Sequence, residues 1–199
     1  MPTPLHALMA AAMVVTLATF VPYIRGILRG GIRPHVFSWI IWSITTSIVA
    51  VAQWRAGGGP GAWAIGLSAA ITLFITVLTL VKHGDRAITR IDWCFLVGAL
   101  ASLPAWCITD DPMWAVLILT TVDLLGFGST LRKAYADPHH ESALFFGWFI
   151  LRNALVIAAL ERWSVTTVAF PLAVGATCIV VVGIILARRL VVRPPAPTA

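Results

Sequence analysis

The chain has 199 residues, of which 59% are hydrophobic and 11% charged, and its mean hydropathy is +0.92. Ordinary soluble domains carry about 25% charged residues, so this composition excludes a soluble fold. The formal charge of +6 gathers at one set of helix ends, where each basic residue gains about 1 kcal/mol from anionic headgroups. It points to a lipid bilayer as partner and not to nucleic acid.

Taken in chain order, runs free of Asp, Glu, Lys and Arg cover 1–24, 34–54, 56–81, 93–109 and 163–187. Crossing a hydrocarbon layer takes about 20 residues of helix, so these runs predict membrane spans. Two further runs, 112–131 and 142–160, reach spanning length with one charge inside each, Asp123 and Arg152. The expectation is an all-α integral membrane protein of seven transmembrane helices. No segment alternates apolar and polar residues over about ten positions, which argues against a β-barrel. Met1 to His6 lack the basic residues of a signal peptide, so the first run is read as a permanent helix.

Connections after the first, third, fifth and seventh runs hold Arg25, Arg29 and Arg33, Lys82, Arg86 and Arg90, Arg132 and Lys133, and Arg188, Arg189 and Arg193. The opposite connections hold only Arg55 and Arg162. Basic short loops face the cytoplasm. The sequence therefore predicts a multi-pass protein of the cell (inner) membrane, with the N-terminus outside and the C-terminus cytoplasmic. Trp54, Trp63, Trp106, Trp114 and Trp163 fall at the outer helix ends, where amphipathic rings prefer to lie. Cys94, Cys107 and Cys178 lack metal-type spacing and read as packing residues.

The chain also repeats itself. Pro22-Tyr23-Ile24-Arg25 and then Pro34-His35-Val36-Phe37-Ser38 lie between the first and second predicted helices. Ser129-Thr130-Leu131-Arg132 and then Pro138-His139-His140-Glu141-Ser142 lie between the fifth and sixth. The Pro-His-x-x-Ser elements are 104 residues apart and the upstream arginines 107 apart, a difference that a three-residue change in loop length reconciles. Three helices reverse the direction of the chain, so a second copy keeps its orientation only if one extra helix intervenes. The predicted plan is thus 3+1+3 parallel repeats, with residues 1–81 as first repeat, 82–110 as linker helix, 111–188 as second repeat and 189–199 as disordered tail.

The repeated loop, running into Trp39-Ile40-Ile41-Trp42, resembles the PQ-loop superfamily, which includes SWEET sugar facilitators and cystinosin-type amino-acid exporters. The name-giving dipeptide is replaced by Pro22-Tyr23 and Ser129-Thr130. The resemblance implies a transporter fold in which Pro22, Tyr23, Ser129 and Thr130 serve gating, with Gly126 and Gly128 supplying flexibility in the second repeat.

Asp123 and Arg152 fall about midway along antiparallel neighbours, hence at similar depth. A charge at a helix centre costs roughly 2.5 to 3.5 kcal/mol, so each requires a partner or water. They can form a fixed ion pair or a charged substrate site. Glu141, Phe145, Trp148 and Arg152, spaced 4, 3 and 4, form one helical stripe, and Asn153, Trp148 and the aromatic and hydroxyl stripes Trp39, Trp42, Thr45 and Thr46 join the two charges as candidate substrate-binding residues, with helix packing as the alternative. His139, His140, Glu141 and Asp137 share a loop, but no HExxH-type spacing is present and no metal site is expected. Gly57-Gly58-Gly59-Pro60-Gly61 lacks the Lys-Ser/Thr ending of a phosphate loop and predicts a tight outer turn.

The leading expectation is a transporter of a small polar, charged or zwitterionic metabolite, working by alternating access between two three-helix bundles. The alternative is a non-transporting sensor, accessory subunit or scaffold. No cofactor is called for, no nucleophile and base lie at catalytic spacing, and an enzyme is not expected. Homo-oligomerisation is left open by the sequence.

Overall fold

The computed structural model describes residues 4–30, 34–82, 88–136 and 138–192. Those residues form α1 (Pro4–Leu28), α2 (Val36–Arg55), α3 (Pro60–Val81), α4 (Arg90–Thr109), α5 (Pro112–Ala136), a short 3-10 turn (Pro138–His140), α6 (Ala143–Ala158) and α7 (Val165–Val191). The all-helical expectation is met among them. Five helices, α1, α2, α3, α4 and α7, are long and apolar enough to cross a membrane. In α5 and α6 the apolar stretches are shorter, Pro112–Gly128 and Ala143–Ala158. α6 is short, because its 16 residues rise only about 24 Å at 1.5 Å each. Such a set of helices marks a multi-pass membrane protein.

Local chemistry fixes the helix ends. His35 caps α2, its Nδ1 accepting from the Ser38 backbone N–H at 3.4 Å and lying 2.8 Å from the Ser38 hydroxyl. Ser142 caps α6 by accepting from the Phe145 N–H at 3.2 Å. Thr89 with Asp92, and Ser164 with Thr167, form capping boxes at the starts of α4 and α7, satisfying amides that the first turn leaves without partners. Pro60 and Pro112 open α3 and α5, where a missing N–H costs nothing.

Two groups emerge from the packing. In the first, α3 packs against both α1 and α2; in the second, α7 packs against both α5 and α6. The groups meet where α1 touches α6 and α2 touches α5. Exchanging α1 with α5, α2 with α6 and α3 with α7 turns each of these contacts into another of the set. Between the groups runs α4, against α5 and α2, with Trp93 5.3 Å from Phe37 and Trp106 under the Arg55 guanidinium at 5.5 Å.

At the end remote from the basic connections, the turn 56–59 and the segment 159–164 are joined by backbone hydrogen bonds. The Gly61 N–H donates to the Ala159 carbonyl at 3.0 Å, and the Glu161 N–H donates to the Gly58 carbonyl at 3.3 Å. At the basic end, Arg189 donates to the carbonyls of Pro138 (3.1 Å) and Glu141 (2.7 Å), and Arg188 donates to that of Tyr135 (2.9 Å). These bonds secure the turn before α6. Asp137, the side chain of His140 and residues 193–199, which the sequence reading assigned to a loop cluster and a tail, lie outside the described residues.

Candidate functional site

Six of the seven helices, all but α4, enclose a cavity of about 290 Å³. From α1 come Phe20 and Tyr23; from α2 come Trp39, Trp42 and Thr46; from α3 come Ile65, Ser68 and Thr72. The other wall is Asp123, Gly126, Phe127 and Thr130 of α5, Phe145, Phe146, Phe149 and Arg152 of α6, and Phe170, Val174 and Cys178 of α7. The volume lies at the lower edge of ligand pockets, which span about 300 to 1,000 Å³.

Arg152 is only 5% exposed. One guanidinium nitrogen, Nη2, donates to the Ser68 hydroxyl at 2.5 Å, and the other, Nη1, to the Asn153 side-chain oxygen at 3.1 Å. Asn153 is in turn held by donating to the Phe149 carbonyl at 2.8 Å. The Arg152 Nε is buried and has no hydrogen-bond partner. Asp123 is half-buried and faces the same cavity. No nitrogen–oxygen contact within 4.0 Å joins the two, so the fixed ion pair is not made as a direct bridge. Cys178 of α7 lines the same cavity.

The aromatic wall is itself packed. Trp39 stands 5.3 Å from Tyr23 and 5.1 Å from Trp42, the latter edge to face, and Phe20 contacts both Trp39 and Phe149. Edge-to-face pairs of this kind add about 0.5 to 1.5 kcal/mol beyond area burial. They hold the indole rings in place before any ligand arrives.

Of the residues singled out in the sequence, Asp123, Arg152, Trp39, Trp42, Thr46, Tyr23 and Thr130 line the cavity together. Asn153 stands one layer behind, positioning Arg152. Thr45 is buried and bonds back to the Trp42 carbonyl at 3.1 Å. Trp148 is 39% exposed on another face of α6, because the cavity face of that helix runs through Phe145, Phe149 and Arg152. Pro22 lies inside α1 one residue from the lining Tyr23, and the Ser129 side chain lies outside the described residues. Sequence reasoning picked out Phe145 on its helical stripe but missed Ser68 and the other phenylalanines. Nothing in an apolar helix marks which phenylalanine faces a cavity and which faces lipid.

Lining positions recur at a spacing of 107: Phe20 and Phe127, Tyr23 and Thr130, Trp39 and Phe146, Trp42 and Phe149. Val36 and Ala143, the first residues of α2 and α6, keep the same spacing. The Pro-His-x-x-Ser elements, 104 apart, stand three positions out of this register, with Pro138–His140 forming the 3-10 turn before α6. At that spacing Asp123 corresponds to Thr16 and Arg152 to Thr45, both buried and both bonded to carbonyls of their own helix. Charge therefore lies on one wall of the cavity and indole on the other.

No family model, curated protein or solved structure matches this chain. Its functional reading rests on the cavity. Among the described residues no group of three or more His, Cys, Asp and Glu side chains could hold a metal ion, and the cavity's buried donors suit an organic solute.

Proposed function

We propose that the protein is a transporter of a small polar, charged or zwitterionic solute, built as two like-oriented three-helix bundles joined by α4 and working by alternating access. What carries this reading is a cavity between the two groups holding a buried arginine with an unpartnered Nε and an acid that does not neutralise it directly. A structural charge inside a membrane is expected to be fully paired; a charge kept for a ligand is not. The exchange of packing partners and the 107-residue recurrence of lining positions support the parallel-repeat plan, in which substrate sits between the halves. So does the resemblance of the two loops to the PQ-loop superfamily.

The closed end favours transport over a static scaffold. Away from the basic connections, the two inter-helix turns are bonded backbone to backbone, and Gln53 of α2 donates to the Thr167 carbonyl of α7 at 2.9 Å. Toward the basic end the lining extends to Tyr23, Trp39, Thr130 and Phe145, close to the helix ends. A cavity between two groups whose turns are bonded together at one end suits rocking of two bundles about that end. In the orientation read from the basic loops, the end away from that seam is cytoplasmic.

The test is solute counterflow in proteoliposomes of the full-length protein, with pools of labelled amino acids, organic acids, sugars and vitamins. At least one pool is expected to exchange, and Asp123→Asn and Arg152→Gln are each expected to cut that exchange tenfold or more. Absence of exchange for every pool, or unchanged exchange in both variants, would remove the reading.

A further inference from the structure

We infer that the cavity is built for a small aromatic zwitterion, a molecule carrying a carboxylate and an ammonium group beside one flat ring. This deepens the transport reading and rests on it. The argument starts from the division of the walls. Arg152, 5% exposed, keeps Nε without a partner while Ser68 and Asn153 occupy its two terminal nitrogens. Those bonds fix the guanidinium plane and engage two of its five N–H groups, leaving N–H donors of a cavity-lining arginine for an anionic oxygen. On the same wall Asp123 makes no ion pair with, and accepts no hydrogen bond from, a described residue, leaving a carboxylate for a cation.

Two opposite charges in one low-dielectric cavity attract strongly and would be expected to meet. Here they stay beyond bridging distance, with Cys178 lining the same cavity. A ligand whose own charges are adjacent and opposite satisfies both at once. A simple anion would leave Asp123 repelling it, and a simple cation would leave Arg152 doing the same.

The rest of the ligand faces the other wall. Tyr23, Trp39 and Trp42 form a held aromatic cluster, and Phe20 and Phe149 close it from α1 and α6. Thr46 and Thr72 face each other at 2.9 Å and each also donates to or shares a bond with its own helix, so they are already engaged. A ring stacks or lies edge-on against such an aromatic wall, whereas the apolar faces of its rings offer a sugar's hydroxyls no partner, at about 1 to 3 kcal/mol for each buried group left unpaired. The 290 Å³ of space admits one ring with a short side chain and excludes dinucleotide-sized solutes.

The experiment is calorimetric titration of the full-length protein in detergent with L-phenylalanine, phenylpropionate, phenethylamine, L-alanine and glucose. L-Phenylalanine is expected to bind at least tenfold tighter than each of the others, because each lacks one element of the match. Asp123→Asn is expected to weaken L-phenylalanine while leaving phenylpropionate unchanged or tighter. Trp39→Leu is expected to bring L-phenylalanine down to the level of L-alanine. Because the analogue series is run on the unaltered protein, misfolding of a variant does not blunt the test. Equal binding of L-alanine, or of phenylpropionate, overturns the inference. Binding or counterflow of sugars or other solutes without L-phenylalanine overturns it too but leaves the transport reading intact. Failure of all pools in counterflow removes both.

Discussion

At the residue scale, Gln53 shows how a single side chain ties the two groups together. Pro171 lies inside α7 and has no N–H, so the carbonyl four residues earlier, that of Thr167, loses its helical donor. Gln53 of α2 is fully buried and supplies that donor from its side-chain amide at 2.9 Å. Repair of a proline gap by a neighbouring helix is how membrane helices tolerate proline. Gln53→Leu should therefore leave the carbonyl bare and lower stability by about 1 to 3 kcal/mol. Pro171→Ala restores the missing N–H, so the double variant should recover much of that loss in a thermal or denaturant melt. Simple additivity of the two changes would show that the Gln53 bond is not filling the proline gap. Such a partnership is invisible in the sequence, because residues 53 and 167 are linked only by the fold. Asp123 and Arg152 were legible for the opposite reason: a charge in an apolar run announces itself. Trp148 and Arg152 were grouped on one stripe of α6, yet Phe149 takes the cavity position and Trp148 turns outward. Four-residue spacing places side chains about 40° apart on a helix, so such a stripe leaves open which residue faces inward.

At the scale of elements, the glycine-rich turn between α2 and α3 does more than reverse the chain. Gly57 and Gly59 take positive φ angles of 77° and 58°, a region costly for other residues. Gly61 brings the start of α3 so close to α6 that an added Cβ would lie 2.7 Å from Leu160 Cδ2 and 2.8 Å from the Val156 carbonyl oxygen. Its N–H is bonded to the Ala159 carbonyl. The backbone carbonyl of Val156 cannot yield as a side-chain tip can. Gly61→Val should thus part the two turns, costing about 1 to 3 kcal/mol by overpacking. If these turns seal one end of the transport path, the variant should also raise solute leak through proteoliposomes. A melt and an exchange rate both equal to the parent's would show that the seam has no such role. The sequence reading expected a tight outer turn, and could not tell that its glycines serve a contact with another turn about a hundred residues away. The arginine spacing of 107, read from the sequence, is also the spacing between the starts of α2 and α6. The Pro-His-x-x-Ser spacing of 104 is not, because His35 caps α2 directly whereas His139 sits in the 3-10 turn before α6.

At the scale of the whole molecule, orientation and cavity access combine into one measurable property. The connections at one end carry 11 basic residues and those at the other end carry Arg55 and Arg162. Those two are held by the protein itself: Arg55 lies over Trp106 at 5.5 Å, and the Arg162 side chain packs where a Gly57 Cβ would be. In the orientation proposed from the charge rule the basic end faces the cytoplasm, and Tyr23 and Thr130 are the lining residues of α1 and α5 nearest that end. A cysteine at Thr130 should accordingly react with a membrane-impermeant maleimide in inside-out vesicles and resist it in right-side-out ones. Cys94, Cys107 and Cys178 would first be replaced by serine or alanine, since two are exposed and the third lines the cavity. A solute that binds between the bundles should slow the labelling, because Thr130 borders the space it fills. Reversed sidedness would mean that the basic ends face outward, against the charge rule. Labelling from both sides would mean instead that the seam at Gly58 and Gly61 opens on its own, making the path a channel and not a carrier.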